Sequence, residues 1–165
     1  MQEVKLNLGC GSEFLEGYVN VDYNMDDPRV TSVDLSAYPL PWATGSVDFI
    51  LCSHVLEHLP DPMRFISECQ RILRPGGEIV FKLPVNTYNC MHLRETHTFG
   101  YFWPVYHDEP GFTNGQSVKM FDLVYQKRHL RSALRLVVRL RAWAYNLISD
   151  EWEYRLKKPV SKSED

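Results

Sequence analysis

Residues 46–84 place two apolar, β-rich runs on either side of one helical stretch, and that order restricts the fold more than any other feature of the chain. "SVDFILCS" and "GEIVFKLP" flank "DPMRFISECQRIL", in which Met63, Phe65, Ile66, Cys69, Ile72 and Leu73 recur at helical spacing before "RPGG" ends the helix. A strand, a helix of this length and a second strand imply a parallel crossover, and hence an α/β sheet. Three shorter runs precede it. "EVKLNLG" sets Val4, Leu6 and Leu8 on one side and ends at Gly9, "YVNVDY" ends at Asp22, and "VTSVDL" ends near Asp34. Downstream, "KMFDLVYQKR" reads as a sixth strand, "SALRLVVRLRAWAYNLI" as an amphipathic helix over 131–148, and "EWEYRLKK" as a seventh strand before a polar tail at 159–165.

A chain of 165 residues with 24% charged side chains is expected to form a single domain around one core, without metals or disulfides as staples. Cys10, Cys52, Cys69 and Cys90 are scattered and form no Cys-x-x-Cys pair, which fits a reducing compartment. Met1-Gln2-Glu3-Val4-Lys5 runs straight into a strand-like segment, so no secretory leader is expected. The apolar region 133–148 is broken by Arg135, Arg139 and Arg141 and does not suit a conventional membrane span. Together these features predict a cytoplasmic protein.

Charge divides the chain. Residues 1–84 hold 12 acids and 6 bases, whereas residues 85–165 hold 9 acids and 12 bases. The basic excess centres on Lys127, Arg128, Arg131, Arg135, Arg139 and Arg141. Such a patch suits a phosphate, an RNA or an anionic membrane, and equally a solvated helix face. Residues 85–118 carry Tyr88, Phe99, Tyr101, Phe102, Trp103, Tyr106 and Phe112 together with His92, His97 and His107, without a clear period. An excursion of this length inside one domain is usually functional or disordered, and its aromatic content favours function.

One five-residue pattern invites a metal. His54, Glu57 and His58 spell His-x-x-Glu-His, and on a helix two histidines four apart share a face with a carboxylate able to serve as a base. A catalytic zinc also needs a third protein ligand. Because the pattern directly follows the fourth strand, it reads as a turn and a short helical start; a third ligand could come from 85–118, but the family resemblance given below accounts for Glu57 and His58 without a metal, and none is expected.

Open α/β sheets bind ligands beyond the carboxyl ends of their strands. At the first such end, Gly9 and Gly11 in "LNLGCGS" permit unusual dihedrals and close backbone approach. At the second, the Asp22 carboxylate can accept from both hydroxyls of a ribose. No further Gly-x-x-Gly opens a helix after Gly11, so the turn does not match a pyrophosphate loop.

Taken in order, "LNLGCG", "VNVDY", "VDL...LPW", "SVDFILCSHVLEHLPDP" and "RILRPGGEIVFKLP" resemble successive motifs of the class I S-adenosylmethionine-dependent methyltransferases, over nearly all of residues 4–84. The resemblance implies a Rossmann-like α/β sheet of seven strands, mostly parallel with an antiparallel last strand. It divides the chain into a cofactor-binding half (1–84), an acceptor lid (85–118) and a strand-helix-strand unit (119–158). It further implies that Gly9, Cys10 and Gly11 pass under the methionine part of S-adenosylmethionine, that Asp22 holds the ribose, and that Asp34 and Leu35 meet the adenine. Ser53 and His54 would then lie beside the sulfonium. Asn7 stands where many members carry an aspartate near the cofactor's amino group, and its amide oxygen can accept the same hydrogen bond without a charge.

His54 and His97, the latter in "ETHTF", are the candidate general bases, since imidazole titrates near neutral pH. Tyr88, Tyr101, Trp103 and His58 are candidates for the acceptor pocket. A small-molecule acceptor, a metabolite or a sugar derivative, is expected, with S-adenosylhomocysteine as co-product. Two rivals are a cofactor-binding module without turnover and a nucleic-acid methyltransferase. Against a base methyltransferase, Ser53-His54-Val55-Leu56 does not resemble the Pro-Pro-Tyr/Phe type of segment. Only residues 12–18 separate Gly11 from the second strand, too few for a helix, so helical cover is reduced. The segment 131–148, or a second subunit in a homodimer, is expected to cover the exposed face.

Overall fold

The computed structural model describes residues 3–23, 25–84, 121–130 and 149–160. Strands β1 (Lys5–Leu8), β2 (Val19–Asp22), β3 (Val30–Ser32) and β4 (Val47–Ser53) lead into a 3₁₀ turn (Leu56–His58) and helix α1 (Pro62–Ile72). Strands β5 (Leu73–Pro84), β6 (Asp122–Leu130) and β7 (Ser149–Lys157) follow. They form one sheet in the order β3-β2-β1-β4-β5-β7-β6, in which β7 runs antiparallel to both its neighbours. The seven-stranded, mostly parallel sheet with an antiparallel last strand is therefore as the sequence predicts.

Helix α1 starts where Asp61 caps it, its side chain accepting from the Arg64 N–H at 3.0 Å, with Pro62 in the first turn. Phe65, Ile66, Cys69 and Ile72 are buried on one face. Met63, expected among them, is 37% exposed. At 100° per residue it points more than a quarter-turn away from the stripe that the other four define. Two strand bounds also differ from the sequence reading. β3 stops at Ser32 rather than near Asp34, and β5 begins at Leu73, which pairs with Val47 across a register shift. That shift passes through "RPGG", where Gly76 has φ +77° and a Cβ on Gly77 would stand 2.9 Å from the Arg74 carbonyl oxygen.

Strand register sorts the sheet into two unlike faces. Leu6, Leu8, Val21, Ile50, Cys52, Ile79, Phe81, Tyr154 and Leu156 alternate onto one face, and all are buried in a single core with the apolar stripe of α1. The opposite face carries Asn7, Asn20, Phe49, Leu51, Lys82, Glu153 and Arg155. A parallel sheet normally has helices over both faces. Here residues 12–18 lie over β1 and β2 as a loop without helix.

Two paired asparagines hold that loop. Asn7 and Asn20 are cross-strand partners, 4% and 7% exposed. The Asn7 amide donates to Asn20 Oδ1 at 2.9 Å and to the Glu13 carbonyl at 2.8 Å. Asn20 Oδ1 also accepts from the Leu15 N–H at 2.9 Å, and its amide donates to the Leu15 carbonyl at 3.2 Å. On the core side, Arg71 of α1 donates to the Leu40 and Trp42 carbonyls while bridging to Glu68, which fastens the β3–β4 connection to the helix.

Among the described residues no helix is long and apolar enough to cross a membrane. The predicted helix at 131–148 and the predicted lid at 85–118 lie outside the described residues.

Replacing Asn20 by Ala strands the Asn7 amide and the Leu15 backbone groups at once. The expected loss is about 2–3 kcal/mol of unfolding free energy in a urea titration. An unchanged midpoint would show that the loop holds without the pair.

Candidate functional site

The carboxyl ends of β1, β4 and β5 meet at a cleft of about 440 Å³, within the roughly 300–1,000 Å³ typical of small-molecule sites. Asn7 of β1, Leu51 and Ser53 of β4 and Lys82 of β5 line it from one sheet face, the residues Gly9 to Glu13 and Leu15 form a wall, and His54 stands at its edge.

The Gly9-Cys10-Gly11 turn is built by backbone. Gly9 and Cys10 N–H groups both donate to the Val21 carbonyl, at 2.8 and 3.0 Å, and the Gly11 N–H donates to Asp22 Oδ2 at 2.7 Å. The two glycines serve different ends. Gly9 has φ +68°, and a Cβ there would sit 2.1 Å from Val55 Cγ2, so the turn must be bare where it packs on the segment after β4. Gly11 has φ +49°, and a Cβ there would meet nothing within 4 Å, which leaves its cleft side open. Burial pushes the Cys10 thiol up, keeping it a neutral lining group.

Asp22 ends β2 with Oδ2 on the Gly11 N–H and Oδ1 on the Tyr23 N–H, the latter at 2.7 Å. Each carboxylate oxygen retains acceptor capacity beyond these bonds. Asp34 is exposed and turns its Oδ1 onto the Ser36 N–H, whereas the Leu35 side chain joins the core. Asp22, Asp34 and Leu35 do not line the cleft that holds Asn7, Gly9, Cys10, Gly11, Ser53 and His54, although Asp22 reaches its wall through the Gly11 N–H.

His54 adopts φ +55°, alone among the described non-glycine residues in the left-handed region. Its N–H donates to the Lys82 carbonyl at 2.9 Å. The ring is held between two carboxylates: Nε2 lies 2.8 Å from Glu151 Oε2 on β7, and Nδ1 lies 3.4 Å from Glu57 Oε1. Glu151 first, then Glu57, raise the imidazole to about 9, against a smaller opposing effect of burial. At neutral pH His54 is thus an imidazolium, and taking up a further proton is closed to it.

The same geometry removes the helical premise of the zinc pattern. The chain passes through the left-handed His54 and only then makes one 3₁₀ turn, so His54 and His58 are not one turn apart on an α-helix. His58 is exposed and Glu57 is buried. Among the described residues no group of three or more His, Cys, Asp or Glu is arranged to hold a metal. His97, Tyr88, Tyr101 and Trp103 lie outside the described residues.

Sequence reading missed Lys82, Leu51, Ser12, Glu13, Leu15 and Glu151. Lys82 was legible in principle, because alternation places it on the same face as Ser53 at the end of a strand ending in Pro84. Glu151 was not, since its meeting with His54 depends on β7 returning beside β5.

Residues 6–81 match the "Methyltransferase domain" family. A ubiquinone biosynthesis O-methyltransferase of Xanthomonas oryzae pv. oryzae is 47% identical over 66 residues, 39% of this chain and 24% of that protein. The matched region therefore spans about a quarter of that relative's length. A solved methyltransferase from Methanosarcina mazei superposes with TM-score 0.64 at 18% identity, covering 98% of this chain and 95% of that one. The N-methyltransferase NodS of Bradyrhizobium japonicum, solved with S-adenosylhomocysteine, superposes with TM-score 0.55 at 16% identity, covering 95% and 78%.

Two outcomes test this geometry. Gly9→Ala is expected to lose about 2–4 kcal/mol of stability, partly restored on a Val55→Ala background, while Gly11→Ala loses only about 1 kcal/mol; equal losses in urea titrations would contradict the distinction. Because the folded His54 pKa lies above its ordinary value near 6.5, its stabilising effect is complete below that value and is lost as pH rises through about 9. Glu151→Gln should therefore flatten the decline in stability between pH 6.5 and 9 and lower the His54 titration midpoint seen by NMR. A midpoint unmoved by the substitution would refute the clamp.

Proposed function

We propose that this chain, which carries the class I S-adenosylmethionine-dependent methyltransferase domain over residues 6–81, transfers the cofactor's methyl group to a small-molecule acceptor. The observation that supports this most is the cleft at the carboxyl ends of β1, β4 and β5, walled by a glycine turn whose Gly11 is open to a ligand.

The residues present suit S-adenosylmethionine. Both hydrogens of the Asn7 amide are taken by Glu13 and Asn20, so its Oδ1 is the acceptor left for an ammonium group. Gly9, Cys10 and Gly11 would border the methionine part, Asp22 would take the ribose hydroxyls, and Asp34 with the Leu35 backbone would meet the adenine. Ser53 and His54 would stand nearest the reacting centre. When bound, the cofactor supplies an electrophilic methyl group on a sulfonium.

The protein's share of the rate is positioning, which can be worth roughly 7–11 kcal/mol for a well-oriented pair. Held between Glu57 and Glu151, the His54 ring is a fixed edge of the cleft against which an acceptor is positioned. A base is required only for an acceptor that must lose a proton, and His97 is the candidate for that role. Transfer to an oxygen of a small molecule agrees with the O-methyltransferase named for the Xanthomonas relative. Cytoplasmic residence and a homodimer complete the reading.

Calorimetry with S-adenosylhomocysteine should give stoichiometric binding to the unaltered protein and little to Asp22→Ala. Equal affinity in the two proteins would remove Asp22 from the site. A nucleic-acid acceptor would reveal itself differently, by RNA or DNA binding that falls steeply with salt, whereas transfer to a small acceptor should be nearly indifferent.

A further inference from the structure

The Lys82 backbone holds His54, but its side chain takes part in no interaction described so far. It is half-buried on β5, lines the cleft, and lies between Ser53 of β4 and Glu153 of β7 in register. Its acidic cross-strand neighbour is engaged elsewhere, as Glu153 accepts from the Tyr125 hydroxyl. Among the described residues no ion pair or side-chain hydrogen bond holds the Lys82 ammonium. Lysine is strongly hydrated, and its partial burial without a counter-ion is unfavourable unless the cleft's ligand supplies one.

The rest of the cleft indicates which ligand group that is. The second cation at the cleft, His54, already has two carboxylates. On the same face as Lys82, Asn7 offers only an acceptor oxygen, as argued above. Among the described residues, Lys82 is a lining cation without a carboxylate partner and Asn7 Oδ1 is an acceptor on the same sheet face; together they match a zwitterion, with a carboxylate for the first and an ammonium for the second. Resting on the cofactor reading given above, we propose that Lys82 binds the α-carboxylate of the cofactor's amino-acid part, and so selects the intact cofactor over fragments that lack it.

Calorimetry on the whole chain tests this with two probes, S-adenosylhomocysteine and 5′-methylthioadenosine, which keeps the nucleoside and thioether but has no amino-acid group. Lys82→Met should weaken S-adenosylhomocysteine roughly tenfold or more and leave 5′-methylthioadenosine unchanged, which also shows that the variant's site is folded. Lys82→Arg should retain most of the affinity. Unchanged S-adenosylhomocysteine binding in Lys82→Met would overturn the proposal and give the lysine to an anionic acceptor instead. Equal weakening of both probes would overturn it too, by showing that the side chain only shapes the cleft. If the unaltered protein binds neither probe, the cofactor reading itself fails, an outcome separate from either variant result.

Discussion

The buried amide pair of Asn7 and Asn20 carries a load that helices carry in most parallel sheets. Parallel strands next to one another need a crossover, and the usual crossover brings a helix that covers the sheet. Between β1 and β2 there is room only for a turn and a short loop. Polar groups on such a loop would shield the strands poorly if the loop were free to move. By spending four hydrogen bonds on Glu13, Leu15 and each other, the asparagines fix the loop over the strands. They also orient Asn7 so that only its oxygen remains for a ligand. Cover and recognition therefore come from the same two side chains, and neither can be changed without disturbing the cleft wall from Gly11 to Leu15.

A second constraint acts at the opposite edge of the cleft. His54 leaves β4 in a left-handed conformation that an L side chain adopts only when its surroundings hold it there. The Lys82 carbonyl fixes its backbone, and Glu57 and Glu151 fix its ring. Two carboxyl groups thus face one imidazole, one on each ring nitrogen. The two contacts raise the imidazole to about 9, so the clamp fixes the ring's charge together with its orientation at neutral pH.

How much of this was legible in the sequence follows from the range of each interaction. Alternation and helical spacing are local, so "SVDFILCS", "DPMRFISECQRIL" and "GEIVFKLP" appear as β4, α1 and β5, and the seven strands form the expected sheet. Met63 was misplaced because an apolar residue in the first turn satisfies composition without satisfying phase. β5 was cut short because "RPGG" looks like a terminator, yet a glycine with positive φ lets a strand bulge and continue. Asn20 went unremarked because a polar residue in a strand ordinarily faces water, and its burial depends on the loop that it holds. Glu151 and His54 are 97 positions apart, and only the antiparallel return of β7 joins them.

That return also bears on the edge of the sheet at which the cleft lies. β6 runs in the same direction as β1 to β5, since both β5 and β6 are antiparallel to β7. Pro84 and Leu130 therefore end at the edge of the sheet where Gly9, Asp22 and Ser53 end, and Ser149, paired with Leu130, begins there. Glu151, two residues into β7, already reaches His54. In open α/β sheets the carboxyl edge is where loops diversify the function of a common frame. The described lining of the cleft comes from β1, β4 and β5 and from the turns that follow β1 and β4, which is the carboxyl edge of the common frame.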